Sequence, residues 1–307
     1  MPRRPPDRHE LRRGRAGDPR GAHPRRGLRR QVLPRLLGGF RGALRVRCGP
    51  IGLIGVGRFG AFLARHLSPR AAIRAWDPAA PPSRIAACGA VPADLARAAS
   101  CPVVVFAVPV SALEEALQAA APHFRGGALA ADVCAVKEIP LRWMREHLPA
   151  GVDLLGTHPL FGPDSAARGL AGRKIVLCPE RISRRRLASV TAFLQGLGLA
   201  VIPADPAEHD RQTACSLALP HLLGRALARA GFGPLSLDTL NWRRLVRIAA
   251  SVRRDDPGLS LDLQRFNPHA AKMRRAFAAA LRRVEGDLRG SPPGPGPRSR
   301  RGSAGRR

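Results

Sequence analysis

Two rhythms of apolar residues alternate along the first two thirds of the chain. Short runs at 51–56, 72–76, 90–91 and 102–108 are mostly apolar, with Arg74 the one charged residue among them. Between them 58–67, 82–88 and 93–99 place apolar side chains at helical spacing. The run at 102–108 is apolar on both faces, which predicts a strand in the middle of a parallel sheet covered on both sides. Pro109 ends it, and Ser111 with Glu114 and Glu115 predicts a helix start closed by a capping box. Further strands are predicted at 128–132, 152–156, 174–177 and 199–202, with helices between. Such alternation predicts a doubly wound α/β domain. From about Pro206 the pattern is helical only, at 208–229, 237–253 and 261–288, a second, all-α unit. It carries more apolar positions than a thin bundle can bury against itself, so a homodimer interface is expected. The expected divisions are a tail at 1–49, the α/β domain at 50–205, the helical unit at 206–288 and a basic tail at 289–307.

The junction of the first strand and helix reads Ile51-Gly52-Leu53-Ile54-Gly55-Val56-Gly57-Arg58-Phe59-Gly60. Its glycines are spaced G-x-G-x-x-G. The first allows a tight turn, the second lets backbone approach a pyrophosphate, and the third lets the helix pack on the strand. Phosphate charge would sit on free N–H groups at the positive end of the helix dipole. An acid is expected about 20 residues on at the end of the second strand, and Asp77 stands there. Its carboxylate would bind the ribose 2′-OH of NAD and repel the extra phosphate of NADP. A neighbouring Arg74 or Arg84 could soften that preference. The cofactor-binding candidates are Gly55, Gly57, Arg58, Phe59, Gly60 and Asp77, together with the strand end at Val108 and Pro109. The plainer alternative is a glycine turn in an unrelated α/β sheet.

Net charge is +30, which suggests nucleic acid until it is located. Residues 1–50 hold 15 Arg against three acids, and residues 289–307 hold six Arg and no acid, so the tails carry 18 of the 30 charges. Only three of the 52 basic residues are Lys, a bias toward Arg that accounts for much of the rest. No basic stripe with interleaved aromatics organises the core, and nucleic-acid binding is left to salt-sensitive phosphate contacts of the tails. Six cysteines at 48, 88, 101, 134, 178 and 215 are scattered, without C-x-x-C or clustering with His. They fit reduced thiols in a cytoplasmic protein and no metal site. The longest apolar run, 101–110, contains two prolines and is too short to span a bilayer. The first 50 residues lack the Ser and Thr of a transit peptide. A disordered extension, or a start assigned too far upstream, is expected.

Chemistry concentrates at four places. Thr157-His158-Pro159-Leu160-Phe161-Gly162-Pro163 delivers a histidine at the carboxyl edge of the sheet, where ligands of open α/β folds bind. His158 has a pKa suited to accepting a hydroxyl proton as hydride leaves the same carbon, or it simply bonds loop backbone. Asp132 could cap the following helix or orient another side chain, and Lys137 could neutralise a substrate carboxylate. His209 beside Asp210 reads as a structural pair at a helix end, and His221 follows twelve residues later, with Pro220 expected to kink the helix. Arg247, in an otherwise apolar helical stretch, either reaches solvent or holds an anion.

Together these segments resemble the prephenate and arogenate dehydrogenase family of tyrosine biosynthesis. The likeness runs from about Ile51 to Leu288 and rests on several motifs in the family's order. They are the glycine turn, Asp77, Val108-Pro109, Asp132-Val133-Cys134 with Val136-Lys137, and Thr157-His158-Pro159 with Phe161-Gly162-Pro163. Glu208-His209-Asp210, Leu219-Pro220-His221 and Asn267-Pro268 with Ala270 follow. The resemblance implies a Rossmann domain, a helical dimerisation domain and an active site between them. It also implies NAD-dependent oxidative decarboxylation of a cyclohexadienyl acid. By the same resemblance His158 deprotonates the C4 hydroxyl, Arg247 holds a substrate carboxylate and His221 lines the pocket. The chain departs from the family at Ala135, where a Ser usually bonds the catalytic histidine. That departure keeps open a related dehydrogenase of another hydroxy acid, or a low-activity member whose tails bind nucleic acid.

Overall fold

A computed structural model describes residues 49–289, and the tails expected to be disordered lie outside the described residues. Eight strands form one sheet in the order β3-β2-β1-β4-β5-β6-β7-β8. They are β1 (Ile51–Ile54), β2 (Ile73–Trp76), β3 (Val91–Pro92), β4 (Val103–Phe106), β5 (Leu129–Asp132), β6 (Asp153–Pro159), β7 (Lys174–Arg181) and β8 (Ala200–Pro203). The first six are mutually parallel, β7 runs antiparallel to β6, and β8 is parallel to β7. This is a Rossmann order extended by two strands.

Helices α1 (Arg58–Leu67), α2 (Pro82–Ala87), α3 (Leu95–Ala99), α4 (Val110–Ala120), α5 (Glu138–His147) and α6 (Arg184–Gly196) connect the strands. One face of the sheet packs on α1, α2 and α6 through Leu53, Ile73, Ile85, Leu155 and Leu177. The other face packs on α3, α4 and α5 through Ile54, Val104, Phe106, Leu113, Leu117, Met144 and Leu154. Residues of the helical unit, Ala214, Ala218, Leu263 and Met273, join that second core.

The helical unit comprises α7 (Pro206–Thr213), α8 (Leu219–Arg229), α9 (Leu240–Arg254), α10 (Pro257–Phe266) and α11 (Ala270–Arg289). The expected helix over 208–229 is interrupted by a π-helical turn at Ala214–Ala218, where the sequence reading placed a kink at Pro220. The expected helix over 261–288 is two helices, separated at Asn267-Pro268 because proline disfavours helical backbone at the residue before it.

Two carboxylates of the helical unit cap helices of the sheet unit. Asp262 of α10 accepts the backbone N–H and the hydroxyl of Ser111, both at 3.1 Å, at the start of α4. The capping box expected there is therefore absent: Pro109 occupies the cap and makes no side-chain bond. Asp210 of α7 accepts the N–H of Lys137 at 2.8 Å and of Glu138 at 2.9 Å at the start of α5. Negative charge at each helix start satisfies free amides and complements the dipole.

Candidate active site

The glycine turn has the geometry its spacing predicts. Gly55 adopts φ +97°, and a Cβ there would meet the Ala107 carbonyl oxygen at 2.7 Å and Val108 Cγ1 at 2.9 Å. Val108 and Pro109 thus follow β4 directly beside the turn. A Cβ on Gly57 would meet nothing within 4 Å, which leaves the backbone open to a ligand, whereas one on Gly60 would fall on the Gly55 carbonyl oxygen. Gly57 caps α1 without a side-chain bond, so the first amides of that helix have no side-chain acceptor there. Asp77 lies beneath the turn, its two oxygens accepting the N–H groups of Val56 at 2.6 Å and Ala79 at 2.8 Å. A dinucleotide fits this set: open backbone at Gly57, an uncapped helix start and a carboxylate at the end of β2.

Arg58 and Phe59 tie the turn to the histidine loop. The Arg58 guanidinium donates to Asp164 at 2.8 Å and to the Arg254 carbonyl at 2.7 Å. Phe59 and Phe62 pack on Phe161, with ring centroids 6.4 and 6.2 Å apart. The two loops that would flank a bound cofactor are thereby fastened to each other and to the end of α9.

His158 lies on β6 itself. The strand, expected to stop at Gly156, continues through Pro159 because β7 pairs with it antiparallel, with His158 opposite Val176. Asp132, the last residue of β5, pairs with Gly156, so His158 stands two residues past the end of β5 at the carboxyl edge. The side chain is buried, and its Nδ1 lies 2.8 Å from Nε2 of His209. The rings meet edge to face, with centroids 5.0 Å apart. His209 Nδ1 in turn lies 2.7 Å from Asp210 Oδ1. Burial holds the His158 pKa well below the ordinary histidine value, helped by His209 and the Lys137 ammonium. The ring is therefore neutral at pH 7, the form a proton acceptor needs.

Lys137 lies inside the fold. Its ammonium is fully buried, ion-paired with Asp132 Oδ1 and donating to the Thr157 carbonyl at 2.6 Å. The residue braces β5 and β6 through Asp132 and the Thr157 carbonyl. Asp132 does not cap α5: its Oδ1 accepts the Cys134 N–H at 2.9 Å, while Asp210 takes the α5 amides. Burial beside Asp132 also pushes the Cys134 thiol pKa up, keeping it un-ionised.

The other two candidates lie in the helical unit. His221 is buried on α8, its Nδ1 2.8 Å from the Ser260 hydroxyl and its Nε2 3.8 Å from Asp255. Burial lowers its pKa against the pull of Asp255. Arg247 is exposed on α9 and makes no hydrogen bond or ion pair with the described residues, so its guanidinium is available to an anion. No hydrogen bond joins either residue to His158 among the described residues. The partner of His158 that sequence reasoning missed is His209, read there only as the neighbour of Asp210.

Residues 79–203 match the family described as prephenate dehydrogenase, nucleotide-binding domain. The chain is similar to proteins named arogenate or prephenate dehydrogenase. It is 30% identical over 185 residues to a probable arogenate/prephenate dehydrogenase of Methanocaldococcus jannaschii, a match over 57% of this chain and 41% of that protein. It is also 30% identical over 203 residues to the 4-amino-4-deoxyprephenate dehydrogenase of Streptomyces pristinaespiralis, covering 63% of this chain and 66% of that one. The chain thus spans less than half the length of the first relative and about two thirds of the second. Among solved structures, the prephenate dehydrogenase of Aquifex aeolicus with hydroxyphenyl propionate and NAD+ shares the fold. Its TM-score is 0.63 at 20% identity, over 80% of this chain and 92% of that one. The family match begins beyond the glycine turn and Asp77, so that end of the site stands on its own geometry.

Proposed function

We propose that the chain is an NAD-dependent dehydrogenase that oxidatively decarboxylates prephenate or arogenate. The observation that carries this reading is His158: a buried, neutral histidine at the carboxyl edge of a Rossmann sheet, in a chain related to enzymes of that activity. The turn at Gly55 and Gly57 and the first amides of α1 would cradle the pyrophosphate, Gly60 lets α1 pack close on the turn, and Asp77 would hold the adenosine ribose and disfavour the extra phosphate of NADP. When bound, NAD supplies the hydride acceptor. His158 accepts the C4 hydroxyl proton as the hydride leaves C4. Cleavage of the bond to the ring carboxylate returns its electron pair to the ring, CO2 departs, and the oxygen regains a proton as a phenol. Aromatisation makes the step irreversible. Arg247 binds a carboxylate and His221 lines the pocket from α8. Residues 50–205 form the cofactor domain and residues 206–288 the substrate and dimerisation domain of a cytoplasmic homodimer. No helix among the described residues is long and apolar enough to cross a membrane.

Steady-state kinetics with prephenate, arogenate and 4-amino-4-deoxyprephenate, each with NAD and NADP, test the reading. Turnover with release of CO2 is expected for prephenate or arogenate. His158→Asn should lower kcat by on the order of 10²- to 10⁴-fold while NAD affinity stays near wild type. Full activity in that variant refutes the assigned base. Turnover of the amino compound alone would move the substrate assignment.

A further inference from the structure

We infer that His209 and Asp210 are positioning residues that hold His158 with its proton on Nδ1, leaving Nε2 as the acceptor for a substrate hydroxyl. The inference rests on the reading of His158 as the base. It starts from Asp210, which is completely buried and accepts two backbone amides, those of Lys137 and Glu138. An ionised carboxylate is an acceptor only. Nδ1 of His209, 2.7 Å from it, must therefore be the donor. In neutral His209 the other nitrogen, Nε2, is then an acceptor. His158 Nδ1, 2.8 Å from that nitrogen, must carry the proton between them. Neutral His158 with Nδ1–H has a free lone pair on Nε2. Each hydrogen bond fixes the direction of the next, so the tautomer of the base is set from Asp210 outward.

The charged groups around the pair agree with a single shared proton order. The Lys137 ammonium reaches the Thr157 carbonyl, one residue from His158, and it opposes a second positive charge on the ring. Asp132 is neutralised by that ammonium, and Cys134 is kept as the thiol. Were the proton between the rings carried by His209, His158 Nδ1 would become the acceptor and its Nε2 would hold a proton, blocking the base.

The orienting pair also comes from the other structural unit. Asn267, ahead of α11, donates to the Asp210 carbonyl at 2.8 Å, and the Thr213 hydroxyl donates to the His209 carbonyl at 3.0 Å. The backbone of both residues is thus pinned within the helical unit. Among the described residues His209 is the hydrogen-bond partner of the His158 ring. Docking of α7 onto α5 is what completes the base.

Nitrogen-15 NMR of histidine-labelled full-length protein reads the tautomer without substrate or cofactor, with His158→Asn identifying the signal. The expected pattern is a protonated, pyrrole-type Nδ1 and a pyridine-type Nε2 on His158, lost or inverted in His209→Leu and retained in His209→Gln, whose amide oxygen can accept. A wild-type His158 protonated at Nε2, or a pattern indifferent to His209→Leu, overturns the inference. In turnover, His209→Leu should lower kcat at least tenfold with KM changed less than threefold, and His209→Gln should recover most of it. Equal loss in both variants marks a merely structural role and also overturns the inference. Asp210→Asn should act like His209→Leu, and the His209 pair keeps the test decisive if loss of the α5 cap unfolds that variant. The expected tautomer in a protein inactive on every substrate leaves this inference standing and refutes the proposed function.

Discussion

At the scale of single residues, the Asp132–Lys137 pair shows how the site is braced. Both side chains are fully buried, and one carboxylate oxygen of Asp132 has no hydrogen-bond partner among the described residues. Burying the two charges costs desolvation on each side, so the pair adds little net stability, but removing one partner strands the other. Lys137→Met should therefore destabilise the fold by about 3 to 5 kcal/mol, measured as a lower denaturant midpoint with unchanged m-value. A loss under about 1 kcal/mol would show that the Asp132 charge is neutralised by other means. The sequence made this residue conspicuous, as one of three lysines in a chain that otherwise uses arginine. It could not say whether the unusual choice served a ligand or a buried acid, since both ask for a compact ammonium. His158 was legible because its loop is distinctive. His209 was legible only as the neighbour of Asp210, because its meeting with His158 spans 51 residues and two structural units.

At the scale of elements, the glycine turn separates two roles that its spacing merges. Gly60 is needed for packing, since a Cβ there would fall on the Gly55 carbonyl oxygen, while Gly57 faces open space in a conformation any residue can adopt, φ −66° and ψ −166°. Gly60→Ala should cost about 1 to 3 kcal/mol of stability by overpacking. Gly57→Ala should stay within about 0.5 kcal/mol of wild type yet weaken NAD binding at least tenfold, because the methyl group occupies the approach to the pyrophosphate. Calorimetric titration with NAD alongside thermal unfolding separates the two effects. Undiminished NAD affinity in Gly57→Ala would remove the turn from the cofactor site. The central strands β1, β4 and β5 were legible because parallel strands inside a covered sheet are written as apolar runs. The extension of β6 to Pro159 was not, since it depends on antiparallel pairing with β7, which local periodicity does not encode. The cap of α4 was misread for the same reason: Ser111 has the right type for a local box, but its partner is Asp262, 151 residues away.

For the whole molecule, the apolar surface left exposed by the helical unit bears on assembly. On α11 Leu281, Val284 and Leu288 are exposed, at a spacing that puts them on one side of the helix. In the segment joining α8 to α9, Phe232, Leu235 and Leu237 are exposed as well, Leu237 by 93%, and so is Leu240 at the start of α9. A monomer with this much large apolar side chain in contact with water would carry a cost that a second copy removes. With a net charge of +30, association has to overcome repulsion, so an interface needs apolar area. Sedimentation at tens of micromolar protein should show a dimer whose dissociation is promoted by low salt, where repulsion is least screened. Leu281→Glu with Leu288→Glu should shift the population to monomer without lowering the thermal midpoint of the monomeric fold. A wild-type protein that sediments as a monomer across that range, or a double variant that remains dimeric, would place the interface elsewhere or remove it.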